Sequence, residues 1–158
     1  MAKTHFYALH LRWTGNTGHG TKTYSGYSRN HEVTIAGKPM LPGSSDPSFR
    51  GDATRYNPEE LLLAAISNCH MLWFLHLCAE YKINVTAYED SPTSIMQEDQ
   101  TGGGKFTEAT LHPVVTVASG DVALIDALHE KAHGFCFVAQ SLNFPVHCSG
   151  KVIVAPEL

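Results

Sequence analysis

Asn57-Pro58-Glu59-Glu60 followed by the apolar run Leu61 to Ala79 most narrows what this chain can become. Asparagine accepts hydrogen bonds from the first helical N–H groups, proline suits the first helical position, and two carboxylates meet the positively polarised first turn. The spacing predicts a helix from about Pro58 to Tyr81. Leu62, Ile66, Cys69, Trp73 and Leu77 recur at spacings of three and four, and most other faces are also apolar. Such a helix is expected to be buried nearly all round as the central element. Ser67, Asn68, Cys69, His70 and His76 interrupt the run, and a lone membrane span would place them in hydrocarbon at high cost. A core helix is therefore expected rather than a span.

Around this helix the chain reads as strands. Residues 5 to 13 alternate loosely and run into Gly15, Gly18 and Gly20, so a strand and a turn are expected, with a short strand or hairpin after them. Gly37 to Asp52 reads as a long loop, and it carries Arg50. Ile83 to Glu98 and Lys105 to Ala118 are rich in Val, Thr, Ile, Tyr and Phe, and Thr101-Gly102-Gly103-Gly104 lies between them, which predicts two long antiparallel strands. Gly120-Asp121 introduces a second amphipathic helix through Val122, Leu124, Ile125, Leu128 and Ala132, ended or bent by Gly134 just before Cys136. Val146 to Ala155 closes the chain as a strand. The order gives an α+β fold in a single domain over residues 1–158.

Charge excludes some partners. Eleven Lys and Arg against 15 Asp and Glu give a formal charge of −4, so no basic surface invites a nucleic acid or an anionic membrane. The N-terminal stretch has neither an uninterrupted apolar segment nor a small-residue cleavage site, so a cytoplasmic location is expected. In that setting Cys69, Cys78, Cys136 and Cys148 are expected as thiols or catalytic groups rather than structural disulfides.

A cysteine in an apolar helix is by default a small hydrophobe with a raised pKa. What sets Cys69 apart is a second thiol, Cys136, after a helix break, together with Glu59, Arg50 and Arg55 nearby in sequence. At about 1.5 Å of rise per residue, Glu59 and Cys69 stand about 15 Å apart along one axis and cannot meet within one helix. If two copies of the helix cross antiparallel near Ala64 and Ala65, Glu59 of one approaches Cys69 of the other.

The run from Asn57 through Ala64, Ala65, Ile66, Ser67 and Asn68 to Cys69 resembles the family of osmotically inducible and organic-hydroperoxide-resistance proteins (OsmC/Ohr). That family's signature is an Asn-Pro-Glu run leading to a helix-borne cysteine. Its second cysteine matches Cys136, within Lys131-Ala132-His133-Gly134-Phe135-Cys136-Phe137-Val138. The resemblance implies an intertwined homodimer, with long helices at its centre flanked by antiparallel sheets and active sites at the subunit interface. It implies an antioxidant peroxidase that reduces organic hydroperoxides without a cofactor. Cys69 would be the peroxidatic thiolate, Cys136 the resolving thiol, and Glu59 the carboxylate that orients an arginine. Arg50 is the first candidate for that arginine, Arg29 and Arg55 the substitutes. By analogy, a lipoyl or other small or protein-bound dithiol resets the enzyme.

Two positions depart from the commoner family pattern: His70 follows Cys69 where Phe is frequent, and Phe137 follows Cys136 where Pro is frequent. His70 is left outside the catalytic set, because adjacent helical residues point about 100° apart. His133 with Cys136, or His147 with Cys148, are conceivable metal pairs, but no Cys-x-x-Cys is present and nothing supplies four convergent ligands, so no metal is expected. Cys78 and Cys148 read as packing residues. The competing functional class is a non-catalytic module on the same fold that binds a hydrophobic ligand or senses redox state.

Overall fold

The computed structural model describes residues 3–156. Met1 and Ala2, which belong to the N-terminal stretch considered above, lie outside the described residues, as do Glu157 and Leu158. The chain packs as two compact units, one up to Leu61 and one from Leu62 onward.

The first unit is built on an antiparallel sheet of three short strands, β1 (His10–Trp13), β2 (His31–Thr34) and β3 (Leu41–Gly43), in that order. The expected strand over residues 5 to 13 shortens to its last four residues. Phe6, Tyr7, Leu9 and Leu11 are all exposed. The loop between 37 and 52 is more structured than expected, holding β3 and a 3-10 turn over Pro47–Phe49 capped by the Asp46 carboxylate. Arg50 ends that turn in the left-handed region at φ 65°. Buried Ser44 ties the segment together, donating to Asn30 Oδ1 at 3.0 Å and accepting from the Asp52 N–H.

The first long helix, α1 (Pro58–Glu80), begins as its sequence dictates. The Glu60 N–H donates to Asn57 Oδ1 at 2.8 Å, and the Asn57 N–H returns to Glu60 Oε2 at 3.2 Å, a reciprocal capping box. By length and composition α1 is apolar enough to cross a membrane. Its buried residues, Ile66, His70, Phe74, Leu77 and Cys78, form one stripe three to four residues apart. The expectation of burial all round is therefore corrected: Leu72 is 63% exposed. Among the described residues, the fully buried positions of the helix lie along one side, while partly buried Leu75 also packs against the larger core.

In the second unit, β4 (Asn84–Glu89), β7 (Val114–Ser119) and β9 (Lys151–Val154) form one sheet, and β5 (Thr93–Glu98), β6 (Gly104–Leu111) and β8 (Val146–Cys148) form another. The two long strands expected from sequence are thus four, and the closing strand is two. All three breaks fall at one level. Pro113, which has no N–H, separates β6 from β7; Asp90 to Pro92 separates β4 from β5; Ser149-Gly150 separates β8 from β9. The Asp90 carboxylate bridges the gap by accepting the His112 N–H at 2.8 Å, and the Ser149 and Lys151 N–H groups donate to the Leu111 and Pro113 carbonyls. β4–β7 and β5–β6 are antiparallel, while β8 and β9 join their neighbours in parallel.

After Gly120, at φ +113°, a 3-10 turn over Val122–Leu124 leads into the second helix, α2 (Ile125–Phe135), which ends one residue before Cys136. Phe74, Leu77, Cys78, Ile83, Val115, Val117, Ile125, Leu128 and Ala132 make the larger core. Ile66, Ala109 and Leu111 make a smaller one.

Candidate active site

Cys69 and Cys136 reach each other because α1 carries one and the end of α2 carries the other. Cys69 is half-buried on α1. Cys136 is fully buried at the C-cap of α2, where its extended backbone turns the chain away and its N–H closes on the His133 carbonyl at 3.2 Å. The Cys136 sulfur accepts the Ala139 N–H at 3.4 Å and lies beside the Cys69 side chain. Burial pushes the Cys136 thiol up to about 11, the neighbouring Cys69 thiol adds to this, and the Ala139 N–H opposes it. At neutral pH Cys136 is therefore a protonated thiol shielded from water. Both cysteines are free thiols.

Aromatic side chains flank the pair. Trp73 lies one turn beyond Cys69 on α1, and its ring centroid stands 5.2 Å from Phe135 and 5.7 Å from Phe137, the two neighbours of Cys136. Phe135 and Phe137 are 45% and 73% exposed. The Phe that replaces a frequent Pro after Cys136 thus joins an apolar rim beside the thiols.

The other candidates belong to the first unit. Glu59 is half-buried, and its Oε2 is buried without a hydrogen-bond partner. Arg50 is exposed, its guanidinium 5.9 Å from the Tyr24 ring centroid, and among the described residues no ion pair joins it to Glu59. Arg29 stacks over Tyr24 and Tyr27 at 4.4 and 4.1 Å and donates to both their carbonyls. Arg55 pairs with Asp52 at 3.6 Å and donates to the His31 carbonyl.

His70, Cys69's neighbour, turns the other way around the helix. It is buried, and its Nε2 lies 2.9 Å from Nδ1 of buried His129 and 3.9 Å from Cys148 Sγ. The His129 ring is in turn stacked on Phe74 with centroids 3.9 Å apart. Burial pushes both imidazoles down to about 4, so both are neutral at pH 7. The convergent polar set is therefore not His133 with Cys136, nor His147 with Cys148. Cys136 is engaged with Cys69, and the residues brought together are His70, His129 and Cys148. Cys148 is exposed rather than a packing residue, whereas Cys78 packs in the core as expected. The sequence signal for His129 was its place beside Leu128 and Ala132 on the apolar stripe of α2.

A family model described as OsmC-like protein matches residues 51–149. A comparison with curated proteins returns no match. Among solved structures, an OsmC-like protein of unknown function from Vibrio cholerae aligns at 25% identity and a TM-score of 0.82, over 95% of this chain and 100% of its own. An organic hydroperoxide resistance protein from Elizabethkingia anophelis aligns at 18% identity and a TM-score of 0.66, over 97% and 100%. The corresponding Bacillus subtilis protein aligns at 20% identity and a TM-score of 0.58, over 93% and 98%. The mixed α and β architecture is that of these structures. With more than half of its residues matched by the family model, this chain belongs to the OsmC-like protein family.

Proposed function

We propose that this protein is a cysteine-dependent peroxidase that reduces organic hydroperoxides. The observation that carries the proposal is the Cys69–Cys136 pair, one thiol reachable and the other buried against it. The ionised Cys69 sulfur attacks the outer oxygen of the hydroperoxide. The O–O bond breaks, the alcohol leaves after taking a proton, and Cys69 becomes a sulfenic acid. The Cys136 thiol then displaces water from that sulfenic acid to form a disulfide, and an external dithiol reduces it in two exchanges. Burial keeps the second thiol from meeting peroxide itself, which suits a resolving role. The rim of Trp73, Phe135 and Phe137 favours apolar hydroperoxides over hydrogen peroxide.

A free cysteine ionises near about 8.5, so the attacking thiol needs a cation beside it. Arg50 suits this role, because Arg29 and Arg55 are already engaged by carbonyls and a carboxylate. Glu59, with an unpartnered buried oxygen, is suited to orient it. The active form in this reading is a homodimer, supported by the exposed apolar residues Leu72 on α1 and Leu9 and Leu11 at β1. A reducing cytoplasm suits a cycle that must be reset by a dithiol.

The test is consumption of an organic hydroperoxide coupled to oxidation of a dithiol, run in parallel with hydrogen peroxide. Turnover is expected in the parent chain and absent in Cys69→Ser. Cys136→Ser is expected to stop after one turnover per site. Undiminished turnover in Cys69→Ser removes the proposal, and no turnover with any peroxide favours a ligand-binding or redox-sensing module instead.

A further inference from the structure

We propose that His70, His129 and Cys148 form a binding site for a divalent metal of the zinc class. Three features carry it. First, the donor atoms converge: one nitrogen, His70 Nε2, faces both His129 Nδ1 at 2.9 Å and Cys148 Sγ at 3.9 Å, and the potential ligand atoms of the three residues all lie within 4.8 Å of one another. A proton relay would use the two opposite nitrogens of the middle imidazole, one toward the thiol and one toward the orienting group. Here one nitrogen serves both neighbours, which is the geometry of ligands around a common centre.

Second, the spacings are near those a tetrahedral ion imposes. With metal–nitrogen bonds of about 2.0–2.1 Å and a metal–sulfur bond of about 2.3 Å, ligand atoms stand about 3.3–3.6 Å apart. The imidazoles need to part by about 0.4 Å and the thiol to close by about 0.3 Å on His70 and by up to about 1.3 Å on His129, whose ligand atom lies within 4.8 Å of it. Two imidazoles and a thiolate are borderline and soft donors, which selects zinc over magnesium or calcium.

Third, the site is preformed and reachable. His70 and His129 are 2% and 5% exposed, and His129 Nε2 is buried with no hydrogen-bond partner. Exposed Cys148 and His129 both line a cavity of about 580 Å³ together with Asp126 and His133. Asp126, His129 and His133 are spaced three and four apart along α2 and so share a face. The ion would take lone pairs from His70 Nε2 and His129 Nδ1 and from the Cys148 sulfur, whose proton goes to solvent. Its fourth position is left to water from the cavity that Cys148 and His129 line.

The site uses neither Cys69 nor Cys136 as a ligand, so metal binding and peroxidase activity can fail separately. Chelator-stripped, reduced protein is titrated with Zn2+ against a chromophoric chelator, and with Co2+ followed by absorbance. One equivalent per chain is expected, and Co2+ should give tetrahedral ligand-field bands and a thiolate charge-transfer band. Because Cys69 and Cys136 could themselves take zinc as a dithiol, the Cys69→Ser/Cys136→Ser double variant is the control, and it should bind unchanged. Cys148→Ser, at an exposed position, should lose the charge-transfer band and about 100-fold in affinity. His129→Gln should lose a comparable factor. Binding below one equivalent, binding abolished in the double variant, or binding undiminished in Cys148→Ser each overturns the proposal.

Discussion

The Cys69 side chain lies beside the Cys136 sulfur across 67 positions of sequence, linking the middle of α1 to the end of α2. That contact selects one pairing among the four thiols. Treating the reduced protein with one equivalent of a hydroperoxide should convert two thiols to a single intrachain disulfide, and peptide mapping should find it between residues 69 and 136. In Cys136→Ser the same treatment should leave Cys69 as a sulfenic acid trapped by dimedone, with steady-state turnover reduced by about 10³-fold or more. A disulfide involving Cys78 or Cys148 would show that the thiols meet in a different order.

Alkali should destabilise the fold earlier than its surface charges require. Burial holds the Cys78 thiol at about 11 against an ordinary value of 9.0, and Cys136 is raised to about 11 as well. Between these limits the native chain keeps protons that the unfolded chain releases, so stability is intact below about pH 9 and falls as pH rises toward 11. The slope is about 1.4 kcal/mol per pH unit for each such thiol. Urea unfolding across that range measures it. Cys78→Val, which has no ionisable group, should remove one increment of the slope, and an unchanged slope would assign the effect to other groups.

The two sides of α1 should answer differently to truncation. Phe74 is fully buried, stacked on His129 and 5.9 Å from the Tyr88 ring, so Phe74→Ala should lose about 3–5 kcal/mol in equilibrium unfolding. Leu72, 63% exposed, should lose within about 0.5 kcal/mol in the isolated chain. If α1 meets a second copy, Leu72→Asp shifts sedimentation from dimer toward monomer while Leu72→Ala leaves the chain folded. Equal losses at Phe74 and Leu72 in dilute protein would contradict the one-sided core.

Much of this was legible in the sequence where the cause is local. The start of α1 could be read because Asn57 and Glu60 complete the capping box within four residues. The end of α2 could be read from Gly134 beside a new segment. Strand continuity could not. The residue preferences of Ile83 to Glu98 are strand-like throughout, and the break appears only when Pro92, Pro113 and Gly150 are placed at one level by pairing register. Which side of α1 is covered also escaped, because an all-apolar run does not say which face its own chain will meet. His129 escaped for a related reason: its place on the apolar stripe of α2 marks it for burial, but its partner, His70, lies 59 positions away in sequence. Among the candidate site residues, the two cysteines were singled out through the resemblance of the segments that carry them, while the metal-type cluster depends wholly on tertiary placement.

Cys69 and His70 are consecutive on α1, about 100° apart around its axis. They behave as two teeth on one shaft. Any twist of the helix that re-aims the thiol relative to Cys136 must swing the imidazole away from His129 through the same angle. The His70–His129 contact therefore fixes the rotation at which α1 presents the Cys69 thiol to Cys136.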